Sequence, residues 1–128
     1  MMIILGLAGA EGSERHALAT AKAINIIKPT HLSALCLMLY RGSELLDQYE
    51  AGKFNPLSPA GLMRELKLII ENIDLPADRH CLFRSNHVSN YVQLAATLPR
   101  DKQRLLRDID YSIAQLSKLK SWDVYNYN

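Results

Sequence analysis

At 128 residues, with 48% hydrophobic and 22% charged residues, the chain is long enough to bury a core and has the composition of one ordinary globular domain. Its formal net charge of +2 is too small to indicate a nucleic-acid-binding protein, so we expect no nucleic-acid partner. The apolar start, residues 1–7, is far shorter than a membrane span and has no basic flank, so we expect neither a signal peptide nor a membrane-spanning segment.

The two cysteines, Cys36 and Cys81, lie far apart, each inside an apolar run. This placement favours buried, reduced thiols and a cytoplasmic protein. Neither cysteine belongs to a CxxC pair or to a cluster with metal-ligand spacing, so we predict no metal site.

The first predicted unit is a strand followed by a helix. Residues 2–7 form a continuous apolar run, which is typical of a strand buried on both faces. A glycine-punctuated turn follows, Ser13 is the expected N-cap, and a helix is predicted to about Ile27. Three apolar residues mark the expected buried face of this helix: Ala17, Ala21 and Ile24.

The second unit begins with a strand at residues 32–40, which is nearly all apolar and therefore expected to be central in the sheet. A short helix is predicted at 44–51. Ser58 followed by Pro59 is a strong helix start, because it places a hydroxyl at the N-cap and proline at the first helical position. The buried face of that helix is predicted from its apolar period: Leu62, Leu66, Ile69, Ile70 and Ile73.

The third unit is predicted as a strand at residues 79–84 and a last helix from Arg100 to about Leu119, with residues 94–99 as a connector. The expected inward residues of the last helix are Leu106, Ile109, Ile113 and Leu116. We therefore expect one domain over residues 1–120 and a tail at 121–128.

The predicted fold class is α/β, with three βα units and parallel strands joined by right-handed crossovers. Such units form either a small open α/β layer or part of a (βα) barrel. In both cases ligands bind at the carboxyl ends of the strands. Three segments follow those ends, residues 6–12, 40–43 and 84–91, and we expect them to lie side by side.

The first of these segments is a candidate anion-binding turn. Its residues, Gly6, Gly9, Gly12 and Ser13, lie between a strand and a helix start, where free backbone N–H groups can hold an anion or a carboxylate. The GxxGxxG spacing matches neither the dinucleotide nor the Walker pattern, and a tight turn without a ligand is the alternative. His16 in the first helical turn is either a general base or a capping or surface histidine.

The most concentrated polar stretch is residues 83–91, FRSNHVSNY. Arg84 can bind a carboxylate bidentately, Asn86 and Asn90 can read an amide, ribose or carboxylate, and His87 can transfer a proton. The alternative is an internal polar network that caps the sheet and binds no ligand.

Tyr40 and Arg41 follow the second predicted strand and could add a phenol and a guanidinium to the same cleft. A half-buried tyrosine and an arginine that extends to solvent from a strand end form the alternative.

Residues 83–91, followed by LPRDK at 98–102 and LLRDID at 105–110, resemble the C-terminal part of a group of bacterial radical S-adenosylmethionine proteins related to oxygen-independent coproporphyrinogen oxidase. Upstream, residues 3–9, Ser13 and residues 16–17 resemble a late barrel strand and its helix. Residues 37–43 resemble the next strand and turn of that group. The likeness continues through GKF at 52–54 and LSP at 57–59. The resemblance covers residues 3 to about 113.

The resemblance implies that this chain corresponds to the C-terminal half of a partial (βα) barrel. It places Gly6, Gly9, Gly12 and Ser13 at the S-adenosylmethionine pocket. It implies five residues on the substrate side: Tyr40, Arg84, Asn86, His87 and Asn90.

The chain departs from the family in its glycine turn, where Ala8 and Ala10 replace a richer set of glycines, and in its cysteines. The family holds a [4Fe–4S] cluster with a CxxxCxxC motif, which this sequence lacks. We therefore expect that this chain alone binds neither cluster nor cofactor and is inactive, whereas the intact family uses both.

The resemblance further implies a partner, either a second copy or a separately encoded N-terminal radical S-adenosylmethionine half, and an unidentified small-molecule substrate. The alternative function is a non-catalytic α/β binding module that pairs with itself or with such a half. A small S-adenosylmethionine- or nucleotide-binding protein is a third possibility.

Overall fold

The computed structural model describes residues 1–37, 42–85 and 93–117. Within these residues the elements are β1 (Met2–Leu5), α1 (Gly9–Ile27), β2 (His31–Cys36), α2 (Glu44–Glu50), α3 (Pro59–Glu71), β3 (Cys81–Ser85), β4 (Leu94–Leu98) and α4 (Lys102–Leu116). None of the helices in the described ranges has both the length and the apolarity needed to cross a bilayer.

The four strands form one sheet in the order β1-β2-β3-β4. The first three are parallel, and β4 runs antiparallel to β3. The α/β class and the three parallel strands are thus confirmed, and the apolar β2 is central as expected. The prediction of a connector at residues 94–99 was wrong, because Leu94, Ala96 and Leu98 alternate inward with the period of two that defines a half-buried strand.

All four strands bury the same side of the sheet. Their inward residues form one core with residues of α1, α3 and α4, and α3 lies between the other two helices and contacts both. The opposite side, here called the open face, consists of strand residues that are partly or fully exposed: Met2, Ile4, His31, Ser33, Leu35, Leu82, Arg84, Ala95 and Thr97.

The helices bury the faces that the sequence predicts. In α3 the N-cap hydroxyl of Ser58 accepts from the Gly61 N–H at 3.0 Å, and the five predicted core residues of this segment are buried. The predicted face of α1 is likewise buried. In α4, Leu105, Ile109 and Leu116 are buried, while Leu106 and Ile113 pack against them from a partly buried position.

Several predicted boundaries were wrong. The first helix begins at Gly9 rather than after Ser13, because the glycine turn is tighter than its spacing suggests. The second strand ends at Cys36, the third begins at Cys81, and α4 begins at Lys102 and ends at Leu116. The predicted tail, residues 121–128, lies outside the described residues.

Candidate functional site

The turn between β1 and α1 has glycine where only glycine fits. Gly6 and Gly9 have φ angles of +84° and +71°, a region that other residues adopt with strain. The Gly9 N–H donates to the Gly6 carbonyl at 3.0 Å. A Cβ added to Gly9 would lie 3.0 Å from the carbonyl oxygen of Asn55 and 3.2 Å from the Phe54 ring. Gly9 therefore permits close packing against the loop that precedes α3.

A buried carboxylate lies beneath this turn. Glu65 of α3 is only 2% exposed. Its Oε2 accepts from the Gly6 N–H at 2.7 Å, and its Oε1 accepts from the Ser13 hydroxyl at 2.9 Å. Hydrogen bonds to an ionised acceptor are among the stronger kinds, and the start of α1 favours a negative charge. Glu65 thus binds two donors that the sequence analysis assigned to an external anion.

The first turn of α1 has a second internal partner. The Ala10 N–H donates to the Asn55 carbonyl at 2.8 Å, and the Asn55 side chain donates to Glu11 at 3.3 Å. The loop after α2 therefore provides a hydrogen-bond acceptor for a backbone N–H group at the start of α1, which has no partner within the helix.

The structure brings together all four residues of the predicted cofactor set, but in different roles. Gly6 and Ser13 bind Glu65, and Gly9 packs against Asn55. Gly12 lies within α1 and helps to line a groove of about 420 Å³ on the outer side of the turn. The other lining residues are Ala8, Glu11, Arg15, His16 and Ala19.

His16 lies between this groove and the edge of the sheet. Its Nε2 is 3.1 Å from the Ile4 carbonyl oxygen. Because a carbonyl only accepts, Nε2 is the donor in this contact. The backbone thus orients His16.

The cysteines are unsuited to ligation or nucleophilic attack. Burial, with a smaller contribution from the charge of Glu65, raises the pKa of Cys36 to about 12, and burial also raises the pKa of Cys81. Thiols that keep their protons are poor nucleophiles and poor metal ligands. Both are buried and neither is in a disulfide, as predicted. In the described ranges no three His, Cys, Asp or Glu side chains lie together as a metal site would need.

Arg84 lies on the open face, where it is the sole Asp, Glu, Lys or Arg among the strand residues described. Its Nη1 donates to the carbonyl of Phe83 at 2.7 Å and to that of Ala96 at 3.4 Å. These contacts direct the guanidinium group across β3 and β4.

Arg84 is not adjacent to the glycine turn. The register aligns Arg84 with Ser33 and Ser33 with Met2, so Gly6 lies four residues further along β1. This corresponds to about 13 Å along the strands and about 10 Å across them. Arg84 itself is therefore not beside the glycine turn. Residues 86–91 lie outside the described residues, so the side-by-side arrangement of the two segments stays a prediction.

The other predicted substrate residues, Tyr40, Asn86, His87 and Asn90, lie outside the described residues. Their roles stay predictions.

The sequence analysis did not identify Glu65, although its position carries a signal. It lies three residues after Leu62 and four before Ile69, on the apolar stripe of α3. An acidic residue at a core position of a helix indicates an internal partner.

Comparison with known proteins adds no relative, since no protein-family model, curated protein or solved structure matches the chain. The functional argument therefore rests on the residues and their geometry.

Proposed function

We propose that this chain is the distal part of a radical S-adenosylmethionine type of barrel and that its open face forms one wall of a ligand cavity. The observation that carries the proposal is the winding of the sheet. β1, β2 and β3 are parallel and adjacent in chain order, and their inward residues pack on a single helical layer. Sheets wound in this way have helices outside and strand side chains inside when they close. A doubly wound sheet has helices on both faces.

In this proposal Arg84 binds a carboxylate of the substrate. Among the described residues of the open face, Arg84 is the one with a permanently charged side chain. A guanidinium pairs with a carboxylate through two parallel hydrogen bonds. Carbonyl contacts to β3 and β4 hold it in place. Tyr40, Asn86, His87 and Asn90 complete the substrate side.

The cysteines of this chain do not fit an iron–sulfur cluster. A [4Fe–4S] cluster needs several thiolates at one place, whereas Cys36 and Cys81 are buried on the helix side of two different strands and keep their protons. We therefore assign no reaction step to this chain, and the proposed function is a binding wall that is inactive alone.

Anaerobic reconstitution of the chain with iron and sulfide tests this point. We expect no cluster absorption, and the same baseline for a variant that carries both Cys36→Ala and Cys81→Ala. Stoichiometric [4Fe–4S] absorption on monomeric wild-type protein would contradict the proposal.

An NMR titration with S-adenosylmethionine tests the cofactor side. We expect no saturable shifts of the backbone amides of Gly9, Gly12 and Ser13 in this chain alone, with methionine and adenosine as separate controls, because the proposed pocket also needs the N-terminal half of the barrel. Saturable shifts at these amides would show that the chain binds the cofactor by itself and would contradict this point.

The DNA upstream of the Met1 codon tests the relation to a larger enzyme. A CxxxCxxC motif, in frame or in a neighbouring gene, supports the proposal. An unrelated upstream gene argues against it.

A second candidate function is favoured by a different observation, namely that β1 is an edge strand with no neighbour on its outer side among the described residues. An unpaired, apolar strand edge is a site for another chain. On this proposal the protein is a non-catalytic module that assembles through its sheet.

A further inference from the structure

The two edges of the sheet differ in how their backbone groups are satisfied. On the outer edge of β4 the Ala95 carbonyl accepts from Arg104 Nη2 at 3.0 Å. The Thr97 N–H donates to Asp101 Oδ2 at 2.9 Å, and the Thr97 carbonyl accepts from the Asp101 N–H at 2.8 Å. Side chains and the following turn thus block this edge against another strand.

Within the described residues, no strand or turn pairs with the outer edge of β1. The carbonyls of Met1 and Leu5 accept from Ser33 and Leu37 of the β2 segment, both at 2.9 Å. Since alternate residues of a strand face the same neighbour, the backbone groups of Met2 and Ile4 face away from β2. Within the described residues, the side chain that reaches this outward backbone is His16, at the Ile4 carbonyl.

A groove of about 380 Å³ lies beside this edge, between β1 and α1. None of its lining residues is Asp, Glu, Lys or Arg, and the terminal amine of Met1 donates to the His31 carbonyl at 2.8 Å. On the α1 side the groove is lined by small residues, Ala19, Thr20 and Ala23, which leave room for an incoming chain. These features favour an extended, apolar and uncharged occupant.

We propose that this occupant is β1 of a second copy of the chain, paired antiparallel about a twofold axis. β1 is extended and apolar, with the sequence MIIL and no charged side chain. The β1 strand of a second copy therefore has the three properties that the groove favours. With the axis at Ile3, Met2 lies opposite the partner's Ile4. The N–H and carbonyl of Met2 then pair with the carbonyl and N–H of the partner's Ile4, and symmetry repeats both bonds.

The contact with His16 does not prevent this pairing. A carbonyl oxygen has two lone pairs, so the Ile4 carbonyl can accept from His16 and from the partner's Met2 together. The paired sheets form one continuous sheet of eight strands with the α1 helices of both copies on the same side. This inference rests on the second candidate function, since both place another chain on the β1 edge. An N-terminal barrel half would occupy the same edge and is the competing outcome of the test.

Sedimentation analysis of the full chain over micromolar concentrations tests the inference. We expect a dimer that dissociates on dilution. Met2→Lys places a charge at a position that is 65% exposed, so the fold is kept while the dissociation constant rises at least about 10-fold, because an edge lysine opposes strand pairing. Ala95→Lys, at an exposed position of the opposite edge strand, is the matched control and leaves dimerisation unchanged.

A proline variant separates backbone pairing from apolar contact. Met2→Pro removes one outward N–H but adds no charge, and proline is tolerated at such edge positions. We expect dimerisation to weaken again, with circular dichroism confirming the fold of each variant. A wild-type chain that stays monomeric up to about 100 μM, or equal weakening by Met2→Lys and Ala95→Lys, overturns the inference; so does capture of a different chain at this edge by a monomeric protein.

Discussion

Glu65 links α3 to the β1–α1 junction, which is distant from it in sequence. Its carboxylate binds a backbone N–H 59 residues away and a hydroxyl 52 residues away. A buried donor or acceptor that loses its partner costs more than the hydrogen bond itself contributed, because the remaining group cannot return to water. The contacts of Glu65 therefore matter most when one of them is removed.

We expect Glu65→Gln to lower the free energy of unfolding by about 1 kcal/mol, since the amide oxygen accepts from the Gly6 N–H without the help of a charge and the Ser13 hydroxyl must turn to accept from the amide NH₂. Glu65→Ala is expected to cost more, because it leaves both donors without an acceptor. Urea unfolding measures the change. Glu71→Gln, at an exposed position of the same helix, is the control and should change stability by less than about 0.5 kcal/mol.

Cys36 makes stability depend on pH in the alkaline range. Its pKa is about 12 in the folded protein and near its ordinary value of 9.0 when unfolded. The unfolded chain therefore releases this proton first, so the stabilising contribution is fully present below pH 9 and is lost as pH rises towards 12.

We expect the free energy of unfolding of the wild type to fall more steeply above pH 9 than that of Cys36→Ala, by up to about 1.4 kcal/mol per pH unit. Urea unfolding at a series of pH values gives both slopes. Equal slopes would show that Cys36 does not titrate in this way.

At the scale of elements, the β1–α1 junction depends on a close approach rather than on a cap. The sequence suggests a turn that ends at Ser13, whereas α1 begins at Gly9 and the Ser13 hydroxyl binds Glu65 instead of capping the helix. The spacing of the glycines could not reveal this, because the groups that fix the junction, Asn55 and Glu65, come from other elements.

Gly9→Ala and Gly52→Ala form a matched pair that tests the close approach. Both positions have positive φ, +71° and +77°, but a Cβ at Gly52 would meet nothing within 4 Å. We expect Gly52→Ala to cost about 1–2 kcal/mol for backbone strain alone. Gly9→Ala should cost at least about 1 kcal/mol more for displacing Asn55. Equal losses in thermal or urea unfolding would remove the packing explanation.

The β4–α4 corner has an acid-sensitive contact. The hydrogen bond from Arg100, and next that from the Thr97 N–H, hold the pKa of Asp101 well below its ordinary value of 3.8. The stabilisation is present above that value and is lost as pH falls through the lower folded pKa, because the unfolded chain binds the proton first.

Asp101→Asn should therefore show a shallower loss of stability than the wild type as pH falls below 3.8. Thermal unfolding in a series of acid buffers measures how the stability of each variant depends on pH. Asp78→Asn, in an exposed loop, is the control, and its stability should depend on pH as that of the wild type does. If the stability of Asp101→Asn also depended on pH as in the wild type, Asp101 would not be the source of the acid sensitivity.

At the scale of the whole molecule, the sequence predicts the elements that are specified by neighbouring residues alone. Ser58, Pro59 and the apolar period define α3 because capping and amphipathicity are local. β4 was missed because Ala95 and Ala96 have weak strand preference and the strand is specified by pairing with β3. Glu65 was missed because its two donors lie in other elements, so no spacing shows the contact. The substrate side stays a prediction: four of its five residues lie outside the described ranges, and the position of Arg84 does not test its role.

The blocked edge of β4 sets an upper limit on assembly. When the β1 strands of two chains pair, the outermost strand on each side of the combined sheet is β4, whose outward groups bind Arg104 and Asp101. No third chain finds an open strand edge among the described residues. In the proposed assembly, growth by edge pairing would therefore end at two chains. An apolar strand with the composition of a fibril-forming segment would then give a closed dimer rather than an open filament.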